Sequence, residues 1–222
     1  ELRSEQGPMC EEAAMTMAQG NEQISADEEV LGERALRTRN AILEASRQLF
    51  LERGYSGTRI NNITEACGIS RAGFYTYFKD KHEVAELLGR TAYQDILEVI
   101  GKWDSMPTPT TLPDVTAWVQ DYFAFMDLHG AFIFSASQSA PDEEFRSVAL
   151  RLQMRVAFLL GMSLRARATE PTDAPEALGL TPLALLDRSW HFVKAQRLPV
   201  SETDIINAAA TSILHNLTGT VS

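Results

Sequence analysis

The sequence predicts an all-α protein in which a small N-terminal helical domain precedes a larger helical domain. Apolar residues recur at helical spacing over most of the chain, and no alternating strand pattern is longer than a few residues. Proline and glycine clusters interrupt the helical pattern at intervals that suit short loops. The 222 residues are enough for one large domain or two smaller ones.

The charge of the chain is unevenly distributed. The formal net charge is −10, which taken alone argues against nucleic-acid binding. Residues 34–82 nevertheless carry nine basic and four acidic side chains, whereas the flanking segments are acidic. A basic block inside an acidic chain is expected when one small domain contacts phosphate, although a solvated charged helix face gives the same pattern.

The cysteine content and hydropathy favour a cytoplasmic protein. Cys10 and Cys67 lie far apart in the sequence, and the chain has no further cysteine, so a disulfide framework is not indicated. No apolar run is expected to span a bilayer, and no secretory signal is recognisable. We therefore expect no membrane partner.

The N-terminal region divides into a tail and a first helix. Residues 1–32 are polar, acidic and short of large apolar side chains, which predicts a disordered acidic tail. Helical periodicity begins near Arg34, and Ile42 and Leu49 mark its apolar face. Gly54 is expected to end this helix.

Two short helices and a tight turn follow. The pattern predicts one helix from about Arg59 to Cys67 with Thr58 as its N-cap, and another from Arg71 to about Phe78 with Ser70 as its N-cap. Gly68 supplies the left-handed backbone that the turn requires. This pattern is typical of a helix-turn-helix, whose second helix enters the major groove of DNA.

The second of these helices has one apolar face and one mixed face. Phe74 and Phe78 are spaced i, i+4 and should face the core. The outward side chains are then Arg71, Ala72, Tyr75 and Thr76. Tyrosine and arginine donate to phosphate oxygens, and arginine also binds guanine. Gly73 costs about 1 kcal/mol relative to alanine but permits close backbone approach. Lys81 lies where the helix dipole disfavours a cation, which makes sense if an anion docks there.

The rest of the chain is predicted to be helical with two loops. A fourth helix runs from Asp80 to about Trp103, and prolines make Ser105–Pro113 a loop. Glu170–Gly179 is also predicted as a loop. The further helices are expected at about Asp114–Leu128, Phe132–Gln138, Asp142–Ala168, Pro182–Gln196 and Glu202–Leu217.

One region closely resembles the N-terminal domain of TetR-family transcriptional regulators. It covers about residues 38–85 and contains AILEASRQLFLERGY at 41–55, GT at 57–58, ITEACGIS at 63–70 and GFYTYFKDK at 73–81. The motifs follow one another in order without a gap. The remainder of the chain resembles the family in length and helical character.

The resemblance implies a bacterial homodimer that binds a palindromic double-stranded DNA operator. It implies phosphate contacts by Thr58, Tyr75, Tyr77 and Lys81, and proximity to the bases for Arg71, Ala72, Gly73 and Thr76. Ser70 and Asn62 complete the candidate DNA-binding residues. Thr76 and the pair Asn61–Asn62 depart from the family's usual residues, so specificity is expected to depend on Arg71, Asn62 and DNA shape.

The resemblance also divides the chain into residues 33–82 for DNA binding and residues 83–222 for ligand binding and dimerisation. It implies a four-helix dimer interface built from the last two helices, whose alternative is an intramolecular core. Aromatic and methionine side chains line adaptable apolar pockets but more often fill a core. The candidate ligand-binding residues are Trp118, Tyr122, Phe125, Met126, Phe158, Met162 and Trp190.

Three functions remain at this point. The first is a repressor that an apolar small-molecule effector releases from its operator. The second is a DNA-binding regulator that has no small-molecule ligand and is controlled by a protein partner. The third, an enzyme, is disfavoured because the sequence has no phosphate loop, nucleophile elbow or metal-ligand spacing of its histidines. No cofactor or metal is expected.

Overall fold

The computed structural model describes residues 9–138, 143–169 and 172–218, and these ranges contain eight α-helices and no strand. The predicted all-α fold is therefore confirmed. The helices are α1 Met9–Gly57, α2 Ile60–Cys67, α3 Arg71–Tyr75, α4 Lys81–Ser105, α5 Leu112–Gln138, α6 Glu143–Arg165, α7 Pro175–Trp190 and α8 Glu202–Thr218. A π-helical segment, His191–Ala195, extends α7.

The helices enclose two apolar cores that share α4. The smaller core joins α1, α2, α3 and the first two turns of α4, where Val84 and Leu88 are buried, and Phe132 of α5 closes it. The larger core joins the second half of α4 to α5, α6, α7 and α8. Because α4 is one continuous helix, the predicted boundary after residue 82 falls inside an element that serves both cores.

Helix α1 is longer than the sequence predicts. The acidic tail was expected to be disordered, yet the chain is helical from Met9 onward, while residues 1–8 of that tail lie outside the described residues. Alanine, methionine, glutamate and glutamine are abundant in this segment and are good helix formers. At the other end Gly54 has a non-helical backbone with φ 71°, at the predicted end of the helix, and one further turn reaches Gly57.

Helices α5 and α7 also differ from the sequence prediction. Two helices, at about Asp114–Leu128 and Phe132–Gln138, were predicted where α5 is continuous. A Cβ atom at Gly130 would lie 2.5 Å from the Trp190 indole, so this glycine provides space for the indole. Helix α7 begins at Pro175, seven residues before the predicted start, since proline suits the first position of a helix, and Pro182 lies within it.

The loop predicted at Ser105–Pro113 is confirmed, since α4 ends at Ser105 and α5 begins at Leu112. The predicted start of the sixth helix at Asp142 lies outside the described residues. Glu170 and Pro171, the first two residues of the loop predicted at Glu170–Gly179, also lie outside the described residues. Helix α7 occupies the last part of that range.

Helices α6 and α7 make the most extensive helix–helix contact among the described residues. Two glycines permit their backbones to touch. A Cβ atom at Gly161 would lie 1.7 Å from the backbone oxygen of Pro175, and one at Gly179 would lie 1.9 Å from that of Ala157. Larger residues at either position would force the two helices apart.

Helix α6 is long and apolar enough to cross a membrane by length and composition, with a mean hydropathy of 1.3 over its most apolar window. One such helix among the described residues does not identify a membrane span, so the expectation that no apolar run spans a bilayer stays a prediction. A core helix of a water-soluble protein can have the same length and composition. The inner face of α6 packs in the larger core through Val156, Leu160 and Leu164. The outer face of α6 is largely uncovered, since 28% of its most apolar stretch is buried.

Candidate nucleic-acid interface

The helix-turn-helix is built by a left-handed glycine and a serine cap. Gly68 ends α2 with φ 66° and ψ 31°, and its backbone N–H bonds back to carbonyls of the last turn. Two residues later Ser70 begins α3, and its Oγ accepts a hydrogen bond of 3.0 Å from the backbone N–H of Gly73. The predicted turn and the predicted cap of α3 are both confirmed. Ile69 between them packs against the smaller core.

Helix α3 is anchored through one face only. Phe74 and Phe78 are buried with 0% and 2% exposure, as their i, i+4 spacing predicts. The opposite face carries the exposed side chains of Arg71, Ala72, Tyr75 and Thr76, and Tyr77 is half-buried beside it. The helix is shorter than predicted, because regular α-helix stops at Tyr75 and a hydrogen-bonded turn leads to Phe78.

The exposed face contains a hydrogen-bonded group of three side chains. Arg71 Nη1 donates to Asn61 Oδ1 across 3.0 Å, and Arg71 Nη2 donates to the hydroxyl of Tyr75 across 3.1 Å. The guanidinium also lies over the Tyr75 ring, 5.6 Å from its centroid. Sequence reasoning did not select Asn61, because no periodic signal distinguishes an exposed polar residue on α2.

Two residues predicted to contact DNA are used within the chain. Thr58 was predicted to cap α2 and contact phosphate. It is instead 1% exposed, and its hydroxyl donates to the carbonyls of Leu49 and Gly54 at 3.0 and 2.8 Å. The N-cap of α2 is Arg59, whose backbone N–H donates to Asn62 Oδ1 across 3.0 Å. The prediction that Thr58 caps α2 is therefore wrong, its phosphate contact stays a prediction, and the Asn62 oxygen is engaged in capping.

The side chain of Lys81 also makes its hydrogen bonds within the chain. Its Nζ donates to the backbone oxygens of Tyr55 and Thr58 at 2.6 and 2.7 Å, and it lies 3.9 Å from the centroid of the Tyr55 ring. Partial burial lowers the pKa of this ammonium group below its usual value. A cation suits the carbonyl end of α1. Two of its three N–H groups are therefore engaged, and one is left for an anion.

Gly73 has no neighbour that requires a glycine. A Cβ atom there would lie 3.4 Å from Ser70 Oγ and 3.8 Å from Ile69 Cβ, which are ordinary contact distances. Its backbone has no left-handed φ either. Thr76 Oγ1 donates back to the carbonyl of Ala72 across 3.3 Å. The centre of the exposed face is thus small and nearly flat.

The candidate ligand-binding residues separate into two groups. Trp118, Tyr122, Phe125, Met126 and Trp190 are buried together in the larger core. Phe158 and Met162 lie on the outer face of α6 and are 40% and 43% exposed. Phe158 and Met162 thus lie apart from the other five, because α6 turns their face of the helix outward, and their part in ligand binding stays a prediction.

The larger core contains polar pairs that the sequence did not reveal. The Tyr122 hydroxyl donates to Asp187 Oδ1 across 2.6 Å. Burial raises the pKa of the Asp187 carboxyl and raises that of the Tyr122 hydroxyl well above its usual value. Trp190 Nε1 donates to Asp127 Oδ1 across 2.8 Å. These pairs place polar groups among the aromatic side chains of this core.

A third polar pair lies where the two cores meet. His129 is 1% exposed, and its Nε2 bonds to Asp95 Oδ2 across 2.6 Å. Burial lowers the pKa of His129, and the nearby Arg47 of α1 lowers it further, while Asp95 opposes both effects. The spacing of His129 four residues after Phe125 was the available signal that it faces the core. Within the described ranges, no three His, Cys, Asp or Glu side chains are arranged to hold a metal ion.

A glycine turn, a serine-capped second helix and an exposed arginine and tyrosine face define a helix-turn-helix domain attached to a helical second domain. Residues 42–88 match the family model described as bacterial regulatory proteins, tetR family. Residues 42–88 therefore form a DNA-binding domain of the tetR family type, as the motifs predicted.

Two curated relatives agree with this assignment. The chain is 30% identical over 120 residues to the HTH-type transcriptional repressor DhaR of Mycobacterium sp. (strain GP1), covering 51% of this chain and 59% of that one. It is 32% identical over 71 residues to the HTH-type transcriptional repressor AcnR of Corynebacterium glutamicum, covering 32% of this chain and 38% of that one. The chain thus matches less than two thirds of either relative. Both names describe transcription regulators rather than enzymes.

Solved structures share the fold over most of the chain. The TetR family transcriptional regulator PfmR of Thermus thermophilus has a TM-score of 0.63 at 21% identity, covering 79% of this chain and 95% of that one. A transcriptional regulator of Aquifex aeolicus has a TM-score of 0.60 at 19% identity, covering 79% and 96%. The C-terminal helices therefore share the fold of these structures, although the family model ends at residue 88.

Proposed function

We propose that this protein is a cytoplasmic homodimeric repressor that binds a palindromic operator through α3 and is released by an apolar small-molecule effector. The observation that carries the proposal is the orientation of α3. Its two phenylalanines are buried in the smaller core, so the opposite face of the helix is exposed. That face offers Arg71 for base edges and Tyr75 with Tyr77 for phosphates.

Contacts within the chain change which residues are the best candidates for DNA binding. Arg71, Ala72, Gly73 and Thr76 remain nearest to the bases, while Ser70, Tyr75 and Tyr77 remain candidates for phosphate. Lys81 remains a candidate for phosphate contact through its third N–H group. Thr58 and Asn62 are removed from direct contact, because their side-chain oxygens are engaged within the chain.

Dimerisation is supported by an uncovered apolar stripe on α6. Leu150, Met154, Phe158 and Met162 follow one another at intervals of four residues and are 40–55% exposed. Leu180 and Leu185 of α7 are exposed as well. Contiguous exposed apolar surface marks an interaction site, and a second copy of the chain would cover it symmetrically.

The dimer interface proposed here differs from the one expected on the last two helices. The apolar residues of α8, including Ile206, Ile213 and Leu217, are buried in the chain's own core. The outer face of α8 presents Asn207, Ala208, Thr211, Ser212 and His215. We therefore assign the interface to α6 and α7 instead of α7 and α8.

The effector proposal is supported by the aromatic group in the larger core. Trp118, Tyr122 and Phe125 form a row of ring contacts, with neighbouring centroids 5.8 Å apart. The Tyr122–Asp187 pair supplies a polar handle beside them. Apolar surroundings with a few polar groups are typical of small-molecule sites. If this core stays closed to ligands, control by a protein partner becomes the better proposal.

The decisive experiment is a footprint on the DNA that flanks the protein's own gene, followed by a mobility shift with the protected segment. We expect a protected palindrome whose half-sites lie one helical turn apart, about 34–36 Å, or a multiple of it. Native mass spectrometry of the purified protein should reveal a bound small molecule whose addition weakens the shift. Absence of a protected palindrome would reject the operator, and release without any small molecule would favour the protein-controlled alternative.

A further inference from the structure

The contact between Asn61 and Arg71 joins the two helices of the helix-turn-helix on their exposed side. Asn61 lies on α2, ten residues before Arg71. Both side chains are exposed, so burial does not force them together. The hydrogen bond of 3.0 Å between them therefore determines the direction of the guanidinium.

A second contact fixes the same guanidinium from the other side. Tyr75, one helical turn after Arg71, accepts a hydrogen bond from Nη2 and places its ring beneath the charge. The tyrosine hydroxyl accepts in this bond, so its own proton stays available for a phosphate oxygen. The phosphate-facing residue and the base-facing residue are thereby coupled.

The guanidinium retains enough donors for DNA. Arginine has five N–H groups, and two are engaged by Asn61 and Tyr75. The remaining three suffice for a bidentate contact with O6 and N7 of guanine. Neighbouring Ala72 and Gly73 have no polar side chain, and Thr76 Oγ1 donates to the chain's own backbone. Arg71 is thus the strongest hydrogen-bond donor on this face.

We infer that Asn61 and Tyr75 hold Arg71 in the orientation that reads one guanine in each half-site, so that Asn61 is a positioning residue for sequence specificity. This inference rests on the proposed DNA binding and deepens it. An unrestrained arginine loses side-chain entropy when it binds, whereas a restrained one has already lost it. Discrimination at that base pair should therefore depend on Asn61 even without direct contact.

The test selects DNA from a random double-stranded pool with the full-length protein and compares base preferences among variants. Wild-type protein should select a palindrome with guanine at one position of each half-site. Arg71→Ala should remove the preference for that guanine, worth about 5- to 150-fold. Asn61→Ala should reduce it by about 2- to 12-fold, the cost of ordering one free side chain, while affinity for random DNA stays within about twofold.

Two further variants separate positioning from other roles. Asn61→Asp keeps the acceptor for Arg71, so it should preserve the guanine preference while its negative charge weakens binding to every sequence. Asn216→Ala removes an exposed asparagine from α8 and should change nothing. Circular dichroism of each variant checks that the helices are intact.

Each other outcome overturns a defined statement. An unchanged guanine preference in Asn61→Ala, or a uniform loss over all sequences, would reject the positioning role. A preference that survives Arg71→Ala would reject base reading by Arg71. If the wild-type protein selects no palindrome, the proposed function itself fails, which distinguishes that failure from the failure of this inference.

Discussion

The ammonium group of Lys81 donates a hydrogen bond to the backbone oxygen of Tyr55 across 2.6 Å, so the first residue of α4 holds the end of α1. A second bond to Thr58 reinforces the contact. This lysine therefore fixes the DNA-binding domain to the helix that continues into the larger domain.

Replacement of Lys81 by alanine should lower stability and change the salt dependence of DNA binding. We expect a loss of about 1.5 kcal/mol, because two charge-assisted hydrogen bonds are removed at a partly exposed site. If the third N–H contacts phosphate, the slope of log affinity against log salt should also fall by about one unit. Urea unfolding and a salt titration measure the two effects.

Lys79→Ala is the matched control for Lys81→Ala, since it removes an equal charge from an exposed neighbour. It should leave stability unchanged. Equal stability of the two variants would contradict the structural role of Lys81, and an unchanged slope in Lys81→Ala would remove it from the phosphate contacts.

Gly73→Ala should separate stability from DNA binding. The added methyl group fits within the chain, so we expect a gain of about 1 kcal/mol from helix propensity. If α3 approaches DNA closely, affinity should fall by about 5- to 150-fold, as overpacking of a tight contact predicts. Denaturant unfolding and a binding isotherm on the same sample test both.

Gly101 on α4 offers a control for Gly73, because it is exposed and a Cβ atom there meets nothing within 4 Å. Gly101→Ala should gain similar stability without losing affinity. Full affinity in Gly73→Ala would show that the glycine is not needed at the DNA surface.

Gly161→Ala should destabilise the protein strongly. The new Cβ atom would overlap the backbone oxygen of Pro175, and backbone atoms cannot move aside as a flexible side chain does. We expect a loss of about 3 kcal/mol or more, visible in thermal unfolding. A variant as stable as the wild type would mean that α6 and α7 do not cross at this distance.

Phe158→Glu should convert the proposed dimer into monomers without unfolding the chain. Phe158 is already 40% exposed, but a carboxylate buried without a partner in an interface costs several kcal/mol. The dimer dissociation constant should rise by about two orders of magnitude, as sedimentation equilibrium would measure. Thr211→Glu on α8 is the control. If Thr211→Glu disrupts the dimer instead, the interface includes α8, as the sequence predicted.

His129 should make stability depend on pH. Because burial lowers its pKa in the folded chain, the unfolded chain, with a histidine pKa of about 6.5, binds more protons as the pH falls below that value. Stability should therefore be full above pH 6.5 and decrease toward pH 5. His129→Gln should flatten this slope between pH 7.5 and 5.5, whereas His215→Gln on the exposed face of α8 should not. Equal slopes in the wild type and His129→Gln would contradict the prediction.

The turn of the helix-turn-helix was predictable because its determinants are local. Gly68, Ser70, Phe74 and Phe78 act within one or two helical turns, so spacing alone identifies their roles. The roles of Thr58 and Lys81 were not predictable in this way. Their partners lie up to 26 residues away and are backbone carbonyls, which have no signature in a sequence.

The helical character of the larger domain was predictable from the sequence, but the packing of its helices was less so. Two helices were predicted where α5 is continuous, and within α5 Gly130 provides space for the indole of Trp190, sixty residues later. Phe158 and Met162 were assigned to the ligand site because aromatic and methionine side chains line adaptable apolar pockets. Which face of α6 is buried depends on where α7 packs, and periodicity does not encode that choice.

Helix α4 gives the two domains a common lever arm. Its 25 residues extend about 37 Å, at about 1.5 Å per residue, from Lys81 in the smaller core to Ser105 beyond Trp103 in the larger one. A tilt of about 5° around the Trp103 end would displace the Lys81 end by about 3 Å, given that length. Small rearrangements at Trp103 would therefore reach α3 as larger displacements.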